Sequence, residues 1–220
     1  MVLCPEPGSG VDGVTDRRPG AGSWDPAPGL PGWLQGMPEI RAFRRLTDAV
    51  EHASVLDKAV DIDRAVVNAL AKPRGLRRLL HGVPFGHPVH PLMVQVPLGA
   101  WISAAVLDLI GGKGNAKAAK TLVGVGLVSS GSASLAGYVD WSELDREQLR
   151  TGWVHQAVNW VGISLYGVSW WQRKHGNHGA GKAFGFAALA VVGVGGYLGG
   201  HLAYRQRAGV SDHGEVPFDA

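Results

Sequence analysis

His87, His90, His155 and His201, together with Asp140 and Asn159, are the residues of this chain whose types and spacing could do chemistry. Neutral imidazole is a common metal ligand, and several imidazoles converging from rigid helices could hold zinc, copper or haem iron. The run His87-Pro88-Val89-His90-Pro91 has a geometry of its own. A residue that precedes proline is pushed out of the helical region, so His87 and His90 are expected on an extended segment, and Pro91 suits the first turn of a helix. His155 and Asn159 are four residues apart and share one helix face. Asp140 and Asn159 would hydrogen-bond to ligating imidazoles and fix their orientation. The competing reading is structural: a histidine at a membrane surface is satisfied by water, and Asp140 closes a helix or pairs with an arginine. His52, His175, His178 and His213 are read as solvated, and Asp108 as the partner of a loop lysine such as Lys113.

The elements that must position these residues are four apolar runs, Pro91–Ile110, Thr121–Val139, Val154–Gln172 and Ala183–Tyr204. Each approaches the ~20 residues that cross a ~30 Å hydrocarbon core, and none shows the polar face a soluble helix would carry. The fold class is therefore all-α: a four-span transmembrane helix bundle preceded by a short soluble or interfacial helical segment. Up-and-down connectivity brings His87, His90, Asp140, His155 and His201 to one membrane face, the face that also holds both termini. His90 and His155, on diagonal spans, are then placed like axial haem ligands. Gly195 with Gly199, Gly196 with Gly200, and Ser130 with Ser134 have the small-residue spacing that lets membrane helices approach closely. Several tryptophans among Trp101, Trp141, Trp153, Trp160, Trp170 and Trp171 lie near span ends, where indoles favour the interface.

The remainder divides by composition. Residues 1–38 are rich in Pro and Gly and read as disordered, with Met37 a candidate initiator. Residues 39–86 read as an amphipathic helical segment, with Ile62, Val66 and Leu70 on one stripe and Arg74, Arg77 and Arg78 among leucines after it. It packs on itself or a partner, or lies on anionic lipid. Residues 87–210 form the membrane domain and 211–220 a short tail. The net charge of +3 is spread beside apolar segments rather than gathered in a patch, which suits a membrane surface and not nucleic acid. Cys4 is the single cysteine, so no intramolecular disulfide or thiolate cluster can form within the chain. The first residues show no basic patch followed by an apolar run, so the spans are expected to direct insertion themselves. Basic residues near the spans number seven on the terminus side and six on the other, which favours both termini in the cytoplasm. Nucleophile elbow, phosphate loop and metalloprotease helix are all missing from the sequence, so no catalytic residue is assigned.

Four pieces form an ordered set: LHGVPFGHPVHPLMVQVPLGAWISAAVLDLIGG at 80–112, GYVDWSEL at 137–144, the His155–Asn159 pair, and GGHLAYRQRAGV at 199–210. In these the chain resembles a bacterial four-helix transmembrane family, the domain of unknown function 2231. The resemblance implies four membrane helices and an unassigned activity. Relatives often look fused to a Rieske iron–sulfur domain, whose centre needs two Cys and two His; this sequence resembles the membrane half alone.

Three functions are in contention. The first is a redox-associated membrane protein that binds haem or a transition metal through His87, His90, His155 and His201 and exchanges electrons with a separate Rieske-type or other redox protein. The second is a non-catalytic anchor or scaffold in the cell membrane, partnered by the lipid bilayer and a docked protein. The third is a small transporter, for which only Asp108 and Asp140 offer acids within the spans.

Overall fold

A computed structural model describes residues 38–208, with side chains from Phe43 onward. The Pro/Gly-rich start, Met37, Cys4 and the tail at 211–220 lie outside the described residues. The chain divides into two compact units, Met1–Ala42 and Phe43–Ala220. Only the opening residues of one helix are described in the first, and all the remaining elements belong to the second.

Every described regular element is helical. Helix α1 covers Pro38–Glu51; a 3-10 turn at Ser54–Leu56 leads into α2, Asp57–Leu70, and then α3, Arg74–Leu80. A second 3-10 turn, Val83–Phe85, precedes α4, His90–Met93, and α5, Gln95–Ile110. The long helices are α6, Lys113–Trp141; α7, Arg146–Lys174; and α8, His178–Gly200, which runs on as a π-helical turn, His201–Arg205.

Proline chemistry explains the break between α4 and α5. Pro97 has no amide hydrogen, so the carbonyl of Met93 loses its partner four residues on, and the helix interrupts at Val94. The two pieces still act as one 21-residue segment, His90–Ile110, long and apolar enough to cross a membrane. At its far end Gly111 and Gly112 take φ of 79° and 91°, which a side chain would resist, and so reverse the chain into α6. The return from α6 to α7 is closed by a capping box: Asp145 accepts from the Gln148 amide at 3.0 Å, and Gln148 accepts from the Asp145 amide at 3.3 Å.

Three helices are long and apolar enough to cross a membrane: His90–Ile110, Lys113–Trp141 and His178–Arg205. The expected third span, Val154–Gln172, lies in α7, which matches α6 at 29 residues but is too polar to qualify by composition. Several of its polar side chains bond to a neighbouring helix, although the Gln156 amide is buried without a hydrogen-bond partner. Ser169 donates to the Gly181 carbonyl at 2.6 Å, and the His155 imidazole donates to the Gly195 carbonyl at 2.8 Å. Hydropathy averages over such groups and undervalues a helix that satisfies them internally.

Helix α5 packs on α6 and α8, and α7 on the same two. At the centre Trp101 of α5 stacks on Tyr166 of α7, ring centroids 4.1 Å apart, among Ala104, Ala119, Val123, Ala188 and Val192. Trp101 is thus a core residue rather than an interfacial one. Its indole lies against Gly126 of α6, where no other residue would leave it room. A second core, Val60, Trp141 and Leu149, joins α2 to the ends of α6 and α7. Helices α2 and α3 form a cap on the terminus end of the bundle, with the end of α1 beside them.

Candidate functional site

The polar residues of the terminus end are spent on fastening the cap. Arg150 of α7 grips Asp57 at the start of α2 through two hydrogen bonds, 2.7 and 2.9 Å, and also donates to the Glu51 carbonyl at 2.9 Å. Planar two-point pairing of this kind is the strong form of an ion pair. The Arg150 hydrogen bond holds the Asp57 carboxyl below its ordinary range. One helical turn away Arg146 pairs with Asp61 at 2.7 Å, and the Trp153 indole donates to Asp63 at 2.7 Å. From the cap, Arg64 donates to the Ser142 carbonyl at 2.7 Å and Arg77 pairs with Glu143 at 2.6 Å.

His81, which sequence spacing does not single out, is a key part of this junction. It is buried, 2.8 Å from Asp140 and 3.2 Å from Glu143. Burial opposes its charged form, but the Asp140 hydrogen bond and the charges of Glu143 and Asp140 outweigh it, so its pKa is raised above the ordinary imidazole value. The available signal is Asp140 itself, an acid at a helix end that calls for a cation. Several arginines near the same end compete for that role, so Asp140 alone does not point to His81.

The four candidate histidines do not form one site. His87 is exposed and turns back to the Pro88 carbonyl at 3.1 Å. His201 is carried by the π-helical turn to Glu51, 2.5 Å away, at the end of α1. Asp140 goes to His81. Among the described residues no group of three or more His, Cys, Asp or Glu could hold a metal ion. The physical reason is the cap: its charged groups draw His201 and Asp140 outward to itself.

His90 and His155 are held separately, each by a backbone carbonyl. The His90 Nδ1 donates to the Ala133 carbonyl at 2.8 Å, and the His155 Nδ1 to that of Gly195 at 2.8 Å. Since a carbonyl only accepts, each ring carries a hydrogen on Nδ1, and a neutral ring then has its lone pair on Nε2. The His155 Nε2 accepts from Asn159 at 3.2 Å, so the expected partnership of these two residues is present. Missing side chains make room for both rings. A Cβ on Gly137 would lie 2.7 Å from His90, one on Gly199 3.0 Å from His155, and one on Gly195 would collide with Asn159. Of the two glycine pairs in α8, the one at 195 and 199 faces α7, whereas Gly196 faces open space.

The opposite end of the bundle holds a buried ion pair that differs from the sequence expectation. Asp108 pairs with Arg173 of α7, at 2.9 Å and 2.5 Å, and not with Lys113. The two side chains are 3% and 1% exposed, so this is a charge pair buried between helices and not a loop contact. Arg173 is completed by Ser169 at 3.2 Å and the Gly181 carbonyl at 3.2 Å, while Lys182 takes the Asp108 carbonyl at 2.8 Å. Beside the pair lies a cavity of about 10 Å³, lined by Trp101, Asp108, Tyr166 and Arg173 among others, and the buried Tyr166 hydroxyl has no hydrogen-bond partner. Such a volume is close to the room one water needs. Arg173 is legible in principle. A buried acid in the last turn of an apolar helix calls for a cation on a neighbouring helix, and Arg173 lies just past the apolar run of α7.

No curated protein and no solved structure matches the chain. The family model described as "Predicted membrane protein (DUF2231)" matches residues 86–212, from the segment before His87 through the π-helical turn, and so takes in both histidine niches and the buried ion pair. With more than half of its length matched, and with helices able to span a membrane, the chain belongs to this family of predicted membrane proteins.

Proposed function

We propose that the protein is a membrane scaffold: a four-span bundle that holds a charged helical cap at one bilayer surface, both termini on the cytoplasmic side. The observation that carries this reading is the pairing of the cap's acids with the bundle. Asp57, Asp61, Asp63 and Glu51 each meet a donor on α7 or α8, at 2.5–2.9 Å. Groups that sequence suggests for chemistry, Asp140 and His201, are part of the same fastening. The two acids considered for proton transport are likewise engaged, Asp108 by Arg173 and Asp140 by His81.

A second reading, a redox-associated haem or transition-metal site, is favoured by one observation: His90 and His155 both have Nδ1 tied to a backbone carbonyl. This arrangement orients imidazoles for ligation through Nε2. A metal there would have to displace Asn159 from His155. The chain's one cysteine does not fit a Rieske centre, so iron–sulfur chemistry would come from a separate redox protein.

Purification after expression with ample iron, copper, zinc and haem precursor decides between the two. The scaffold reading expects no visible absorbance and no stoichiometric metal. Stoichiometric haem or metal that disappears in His90→Ala and His155→Ala would overturn it in favour of the second.

A further inference from the structure

The acids of α2 face the bundle, as do Arg64 and Arg77, whereas four other cations of the cap do not. On α2, Asp57, Asp61 and Asp63 turn to Arg150, Arg146 and Trp153 of the bundle. Among the described residues, the exposed cations Lys58, Lys72, Arg74 and Arg78 carry no acidic partner on that outer side. Between them stand exposed apolar side chains: Ile62 at 55%, Val66 at 51% and Leu70 at 72% on α2, then Leu76 and Leu79 on α3. Ile62, Val66 and Leu70 succeed one another at four-residue spacing and so form a single stripe. The apolar series continues along the chain through exposed Phe85 and Leu92 into the outer surface of the first membrane helix. A stripe of large apolar side chains flanked by lysine and arginine, followed in the chain by a helix able to cross a membrane, is the composition of a helix lying in a headgroup layer.

We propose that the outer face of α2 and α3 rests in the headgroup region of an anionic leaflet, with Ile62, Val66 and Leu70 immersed and Lys58, Lys72, Arg74 and Arg78 on lipid phosphates. Docking to the bundle consumes these acids together with Arg64 and Arg77, and leaves Lys58, Lys72, Arg74 and Arg78 for lipid. Anionic lipid fits the charge, since each basic residue near such a surface adds to the attraction.

The test uses the full chain in lipid nanodiscs, either neutral phosphatidylcholine or a mixture with phosphatidylglycerol. Because Cys4 is the only cysteine, a Cys4→Ser background accepts single nitroxide labels at Val66→Cys, at Leu70→Cys and, as a water-exposed control at the other end, at His178→Cys. Relaxation by oxygen against a water-soluble nickel chelate reports immersion. The expected result is loss of nickel access at 66 and 70, but not at 178, in anionic discs. Nickel access should return in neutral discs and in a Lys58→Gln/Lys72→Gln/Arg74→Gln/Arg78→Gln variant. Labels at 66 and 70 that stay open to nickel in anionic discs would overturn the proposal and make the stripe a protein-docking face. Equal shielding in neutral discs or in the variant would overturn the assignment to anionic lipid.

Discussion

Asp108 and Arg173 illustrate what a single residue costs in this bundle. Each is almost wholly enclosed, and each neutralises the other. Removing one leaves an uncompensated charge in a low-dielectric interior, a loss of roughly 3–5 kcal/mol by comparison with other buried pairs. Arg173→Ala is therefore expected to lower the unfolding midpoint in detergent sharply, and Arg173→Ala with Asp108→Ala to recover much of the loss. If the double variant is as unstable as the single one, the pair is not the source of the effect. The glycine niches make a second prediction. Gly137→Val forces its side chain into the His90 ring and Gly195→Val into Asn159, each at about 1–3 kcal/mol for overpacking. Gly196→Val, which meets nothing within 4 Å, is expected to leave the midpoint unchanged in the same measurement. Sequence spacing puts Gly195 and Gly196 in equivalent motifs. Which of them faces a neighbour depends on the rotation of α8, and spacing alone does not contain that.

Among the elements, α3 and the His81 turn are expected to be held in a pH-dependent way. The folded pKa of His81 is raised, so its contribution is complete below the unfolded value of ~6.5 and is lost as pH rises through the higher folded value. Amide exchange in α3 should accelerate as pH rises through that window, after correction for intrinsic exchange, relative to α6. The profile should flatten in His81→Gln. An unchanged profile in that variant would assign the pH response elsewhere. Helices are the most legible elements. The apolar runs beginning at Pro91, Thr121 and Ala183 all fall in helices able to cross a membrane. Helix α7 is harder to read, because its polar groups are answered by residues far away in the chain: Arg150 by Asp57, Trp153 by Asp63, Ser169 by Gly181. The polar convergence at the terminus end is visible in the sequence, but its purpose is not. Glu51 and His201 are 150 residues apart, and nothing local marks them as partners.

For the whole molecule, whether α7 passes through the bilayer decides the topology. At about 1.5 Å per residue its 29 residues measure about 44 Å, more than the ~30 Å hydrocarbon core. Its antiparallel packing against both α6 and α8 carries it along the same path as those two. Reporter fusions after Gly114 and at the C-terminus are expected on opposite sides of the membrane. The same side for both would reduce the spans to the three that qualify by composition and would take α7 out of the bilayer.

Glu51 has a mechanical consequence. Its carboxylate holds His201 at the end of α8, and its carbonyl accepts from Arg150 of α7, so one residue is bolted to two adjacent helices that run in opposite directions. A piston stroke of α8 along α7 by one turn, about 5.4 Å, exceeds what either hydrogen bond can stretch. Such a stroke must shear one bolt and drag the end of α1 with the other. The cap is in this sense a strain gauge, and sliding within the bilayer would be read out as displacement of α1 at its surface.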